Sequence, residues 1–74
     1  MANLRRVYEL IQDVPMVHKG KFVFCDYSGA VYWIDEKGNE SDYALRSGLA
    51  GYLWLLRTEE GYFKFIEQEF EEFD

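Results

Sequence analysis

The sequence is short of the residues that small folds use as staples. Among its 74 residues there is one cysteine, Cys25, one histidine, His18, and one proline, Pro15. A lone cysteine excludes an internal disulfide. One cysteine with one histidine cannot close a structural zinc site of the usual kind. No apolar run approaches the roughly 18 residues of a membrane span, and no positively charged leader with a continuous apolar core follows Arg5 and Arg6. A chain this small buries only about 60% of its unfolded surface, so its stability must come from dense packing or from a partner. The one cysteine fits a reducing compartment, and the expectation is a cytoplasmic protein without a cofactor.

What the chain does have is aromatic side chains, 19% of its residues, and a net charge of −6. The charge is unevenly placed. Residues 1–57 balance seven acidic against seven basic side chains, whereas residues 58–74 carry seven acids against Lys64 alone. Direct nucleic-acid binding is disfavoured, because phosphate contacts need clustered lysine and arginine. A protein with a basic surface is the better electrostatic match.

Residues 47–57 form the most apolar stretch. Leu49, Leu53 and Leu56 recur at helical spacing, Ser47 suits the N-cap, and Arg57 suits the negative pole of the helix dipole. Gly51 inside this helix suggests close approach by a backbone or a ring. Before it, 21–27 and 30–35 read as two strands rich in aromatic and β-branched residues, joined by a two-residue turn at Ser28-Gly29. That turn pairs Cys25 with Tyr32 and Val23 with Ile34. It puts Phe22, Phe24, Val31 and Trp33 on one face of the hairpin, and Val23, Cys25, Tyr32 and Ile34 on the other. Residues 36–39 are a turn, with Gly38 free to adopt positive φ. Residues 40–46 read as a third strand with Tyr43 and Leu45 inward, or as the start of the central helix. At the two ends, Leu4, Val7, Ile11 and Val14, and then Phe63, Ile66, Phe70 and Phe73, repeat at i, i+3, i+7 and i+10. That spacing predicts a helix over 4–14, closed by Pro15, and another over 62–73. The expected architecture is a single α+β domain over 1–74. It is a three-stranded antiparallel β-meander with an N-terminal helix and two C-terminal helices, in the order α-β-β-β-α-α.

No catalytic constellation stands out. Cys25 lies mid-strand among apolar neighbours, where thiols are inert. Ser28 and Ser47 serve as turn and cap, and adjacent carboxylates such as Glu71 and Glu72 diverge instead of flanking a cleft. Asp35, Glu36, Asn39 and Glu40 do not follow the spacing of a calcium loop. A non-enzymatic binding protein remains. Its expected partner-binding residues are the carboxylates Glu67, Glu69, Glu71, Glu72 and Asp74 on the terminal segment. Phe22, Phe24 and Trp33 join them if their sheet face is not covered from within. By charge and size the chain is similar to small phage-encoded inhibitors of host defence, anti-CRISPR proteins among them. The alternative is a structural or assembly module, a homodimer joined through that aromatic face.

The run Gly29-Ala30-Val31-Tyr32-Trp33-Ile34-Asp35, then Gly38, then Ser47 through Leu56, resembles the C-terminal half of the SUKH immunity domains. In those, a strand of this type and a glycine turn lead into a serine-started helix with aromatic and leucine anchors. The resemblance implies binding and neutralising a toxin. With the comparison by charge, it points to an acidic protein that blocks a partner.

Overall fold

The computed structural model of the protein describes residues 2–42 and 49–72, with the side chains of Ala2, Glu71 and Glu72 outside the description. Among the described residues, five strands and one helix follow in the order β1 (Ala2–Leu10), β2 (Gly20–Cys25), β3 (Val31–Ile34), β4 (Glu40–Asp42), α1 (Ala50–Thr58) and β5 (Phe63–Glu72). The strands form one antiparallel sheet in the order β4-β3-β2-β1-β5.

This corrects the expected α-β-β-β-α-α meander. The fold is mostly β, and of the three helices expected only the central one forms. Residues 2–10 are a strand because their apolar side chains divide between two faces. Val7 belongs to one buried cluster, while Tyr8 and Leu10 join the other. Leu4 and Val7 lie on opposite faces of the strand, and Ile11 and Val14 lie beyond its end, so their i, i+3, i+7, i+10 spacing is helical only by coincidence. In 63–72 the cause is a β-bulge. Tyr8 pairs with Phe65 and Val7 with Glu67, so Ile66 is the extra residue. A bulge shifts the alternation by one. The step turns a strand pattern into Phe63, Ile66, Phe70, which is helical spacing. Pro15 does not close a helix. It leads a tight turn between Val14 and Val17, with Met16 at φ +68° in the position where such a turn favours glycine.

The β2–β3 hairpin forms with a longer loop than expected. Val23 pairs with Tyr32 and Phe24 with Val31. The Cys25 N–H donates to the Ala30 carbonyl, and the Gly29 N–H donates to the Cys25 carbonyl at 2.8 Å. Residues 26–29 therefore make the turn, with Gly29 at φ +76°. The register moves by two positions relative to the two-residue loop. An even shift leaves every side chain on its original face, so the expected division into two apolar faces holds. At the next turn the Asp35 carboxylate accepts from the Lys37 and Asn39 N–H groups at 2.9 and 2.8 Å, an Asx arrangement that closes 35–39 with Gly38 at φ +87°. The third strand is Glu40–Asp42. Tyr43, Leu45 and Ser47 lie outside the described residues. The helix begins at Ala50, with Leu49 at its cap and no side-chain cap bond.

The larger core lies between the helix and the sheet. Phe22, Phe24, Val31 and Leu53 are fully buried, joined by Leu10, Val14, Val17 and Leu56. The rings of Phe22, Phe24 and Trp54 meet their neighbours edge to face at centroid distances of 5.2–6.0 Å, the geometry that the aromatic quadrupole favours. The Trp54 Nε1–H donates to the Gly29 carbonyl at 2.9 Å and ties the helix to the hairpin loop. Arg57 lies over the Trp54 ring, 4.3 Å from its centroid, and is paired with Asp26. Gly51, expected to admit a close neighbour, faces open space. The opposite face of the sheet holds a smaller cluster, Val7, Val23 and Cys25, with Ala30, Tyr32, Ile34 and Ile66 around it.

Candidate protein-binding surface

The surface begins with the order of the strands. β1 is flanked by β2 and β5, so β5 is an edge, and it is ten residues long against three for the other edge, β4. Cross-strand register fixes what each side of β5 carries, because residues directly opposite share a face. Phe63 and Phe65 lie opposite Leu10 and Tyr8, and Phe70 lies opposite Leu4, all on the helix side of the sheet. Glu67 lies opposite Val7 and Glu69 opposite Arg5, on the other side.

Exposure separates these positions. Phe63 is half-buried and packs against the main core. Phe65 and Phe70 are 50% and 63% exposed, although the Phe65 ring still meets Tyr8 edge to face at 5.4 Å. Glu67 and Glu69 are exposed. Glu71 and Glu72 continue the strand at the backbone level, with register partners Asn3 and Ala2. Asp74 lies outside the described residues.

The arginines of β1 take up other carboxylates. Arg5 shares the face of Cys25 and reaches across the strands to Glu40. Burial works against its charge. The hydrogen bond and proximity of Glu40, with smaller contributions from Cys25 and Glu69, outweigh that and hold the guanidinium above its ordinary pKa. Arg6, on the helix side, pairs with Asp26 at 3.3 Å, and Arg57 approaches the same carboxylate at 3.5 Å. The structure thus gives Arg5 and Arg6 ion pairs within the body, with Arg5 also close enough to Glu69 to feel its charge.

The sequence-derived residues thus divide. Glu67 and Glu69 stand together on one exposed strand. Phe22 and Phe24 do not join them: both are fully buried under the helix, and Trp33 is half-buried against the same core. Phe22 and Phe24 are covered from within, whereas Trp33 keeps part of its surface open. Phe65 and Phe70 are the residues that sequence reasoning missed. The signal for them was the alternation Phe63-Lys64-Phe65 followed by Glu67, Glu69 and Glu71, a period of two that marks a strand with unlike faces.

Elsewhere, an open cleft near the 35–39 turn is lined by Glu9, Lys19, Lys21, Trp33, Glu36 and Lys37. Its charges are of mixed sign. His18 is an exposed loop residue beside it, its ring 5.6 Å from that of Trp33. Among the described residues no group of three or more His, Cys, Asp or Glu is placed to hold a metal ion, and no helix is long and apolar enough to cross a membrane. No family model, curated protein or solved structure matches the chain.

Proposed function

We propose that this protein is a non-catalytic, acidic inhibitor that binds a basic protein partner and blocks it. The observation that carries the reading is the exposed pair Glu67 and Glu69 on the ten-residue edge strand β5, within the segment that holds the chain's entire surplus of negative charge. Clustered carboxylates on an ordered strand steer and orient a basic surface, and they do so without a cleft. The mode of action is that of phage anti-defence proteins or of immunity domains, which act by occupying a partner. The resemblance of residues 29–56 to SUKH domains supports the same class. A single, buried cysteine, Cys25, favours a reducing compartment, the cytoplasm, as the place of action.

The test is an affinity pull-down from the native host, followed by titration of the captured protein. Replacing Glu67, Glu69, Glu71 and Glu72 together with glutamine is expected to weaken binding by about tenfold or more and to flatten its salt dependence. An affinity unchanged by all four replacements would remove the proposal.

A further inference from the structure

We infer that β5 takes up an extended basic segment of the partner protein as a sixth strand, paired through the outer edge of the sheet. This rests on the function proposed above and specifies how the partner is held.

Three observations lead to it. First, among the described residues no strand pairs with the outer side of β5. The Ile11 N–H donates to the Tyr62 carbonyl at 2.9 Å, which sets the phase of the β1–β5 ladder. Antiparallel ladders bond inward at every second residue. Tyr62 and Lys64 therefore turn toward β1, while Phe63 and Phe65 point their N–H and C=O groups to an edge that no described strand occupies. Second, exposed edges of this length are normally shortened, covered or twisted away, since they template pairing with other chains. β5 keeps ten residues at its edge, guarded against other copies by the bulge at Ile66 and by its like charges, which a basic segment neutralises. Third, the two faces of β5 are chemically unlike. Exposed Phe65 and Phe70 lie on the helix side, and Glu67 and Glu69 on the other.

Charge selects the occupant. A second copy of β5 paired antiparallel about Gln68 would set Glu67 directly opposite the second copy's Glu69, twice, and like charges opposite one another destabilise a pair. It would also bring together two strands that each carry four glutamates against one lysine. A segment with Lys or Arg alternating with apolar residues reverses both terms. Its cations face Glu67 and Glu69, its apolar side chains face Phe65 and Phe70, and its backbone supplies the missing hydrogen bonds. This is strand addition, in which main-chain bonds give affinity and alternate side chains give specificity.

The probe is a peptide of about eight residues alternating lysine and valine, a usual strand length, titrated into the full chain by fluorescence anisotropy. Two counterparts accompany it, one with N-methylated backbone amides and one with glutamate for lysine. The lysine peptide is expected to bind, to slow amide exchange at Phe63 and Phe65, and to lose about tenfold or more in affinity on N-methylation. The glutamate peptide is expected not to bind. In the protein, Phe65→Pro removes an outward N–H at a position where an edge strand tolerates proline; it is expected to weaken the peptide by a similar factor with the far-ultraviolet spectrum unchanged. Should that variant misfold, Glu67→Lys supplies the protein-side measurement, with weakened binding expected. Equal binding of the N-methylated peptide, unchanged exchange at Phe65, or no binding of the lysine peptide overturns strand addition while leaving the acidic surface in place. Equal binding of the lysine and glutamate peptides overturns both. A dimer by sedimentation, with Phe65 protected in the absence of peptide, overturns it in favour of self-pairing.

Discussion

The two faces of the sheet solve the same problem with different materials. On one, helix α1 lays Leu53 and Leu56 over Phe22, Phe24 and Val31, and rings packed edge to face fill the layer. On the other, Val7, Val23 and Cys25 are as deeply buried but sit among side chains of the sheet itself, with Arg5 reaching over to Glu40. The difference teaches that stability is concentrated where a second layer brings bulk. A large side chain caught between helix and sheet leaves a hole when truncated. A small one among strands removes less apolar area, and its neighbours have more freedom to close in.

That comparison can be broken by measurement. Leu53→Ala is expected to cost about 3–5 kcal/mol, enough to unfold much of a domain whose total stability is of order 5 kcal/mol; urea denaturation of a sample checks it. Val23→Ala, equally buried on the other face, is expected to cost about 2 kcal/mol, the worth of two buried methyl groups with a small cavity. If Val23 proves the costlier of the two, the helix is not the principal source of stability. The smallest effect has the opposite sign. Gly51 lies on the outer side of the helix with nothing within 4 Å of where a Cβ would stand. Gly51→Ala is expected to raise stability by about 0.5–1 kcal/mol, by limiting the unfolded chain and supporting the helix. A shift of the thermal midpoint upward confirms it, and a downward shift would place an unseen neighbour against that side.

The legible parts of the sequence were those whose pattern came from a single cause. Helix α1 forms where Leu49, Leu53 and Leu56 placed it, though it begins at Ala50; Leu53 and Leu56 are buried, while Tyr52 and Leu55 of the same apolar run face solvent. The hairpin was readable because Phe22-Val23-Phe24 and Val31-Tyr32-Trp33 are strand-forming whichever loop joins them. Only the loop length was misjudged, and its effect on the faces cancelled. β1 and β5 were obscured by superposed causes. In β1, apolar residues from two opposite faces and from the turn after it add up to a helical spacing that no single face carries. In β5, the Ile66 bulge inserts a step into the alternation. A contrary signal was present: Arg5 and Arg6 at the start of a helix oppose its dipole, whereas in a strand they point to opposite faces, one toward Glu40 and one toward Asp26. As for the surface, the carboxylates were legible from charge alone. That Phe65 and Phe70 accompany them, and that Phe22 and Phe24 do not, depended on the strand order.

The strand order has a consequence for how the chain comes together. β1 pairs on one side with β2, its neighbour in sequence, and on the other with β5, the strand most distant from it along the chain. During synthesis β1 therefore waits, half-paired, until β5 has emerged, and its closure sets a long-range step of the kind that slows folding. Through that interval one flank of β1 is bare, an edge of nine residues that only β5 closes.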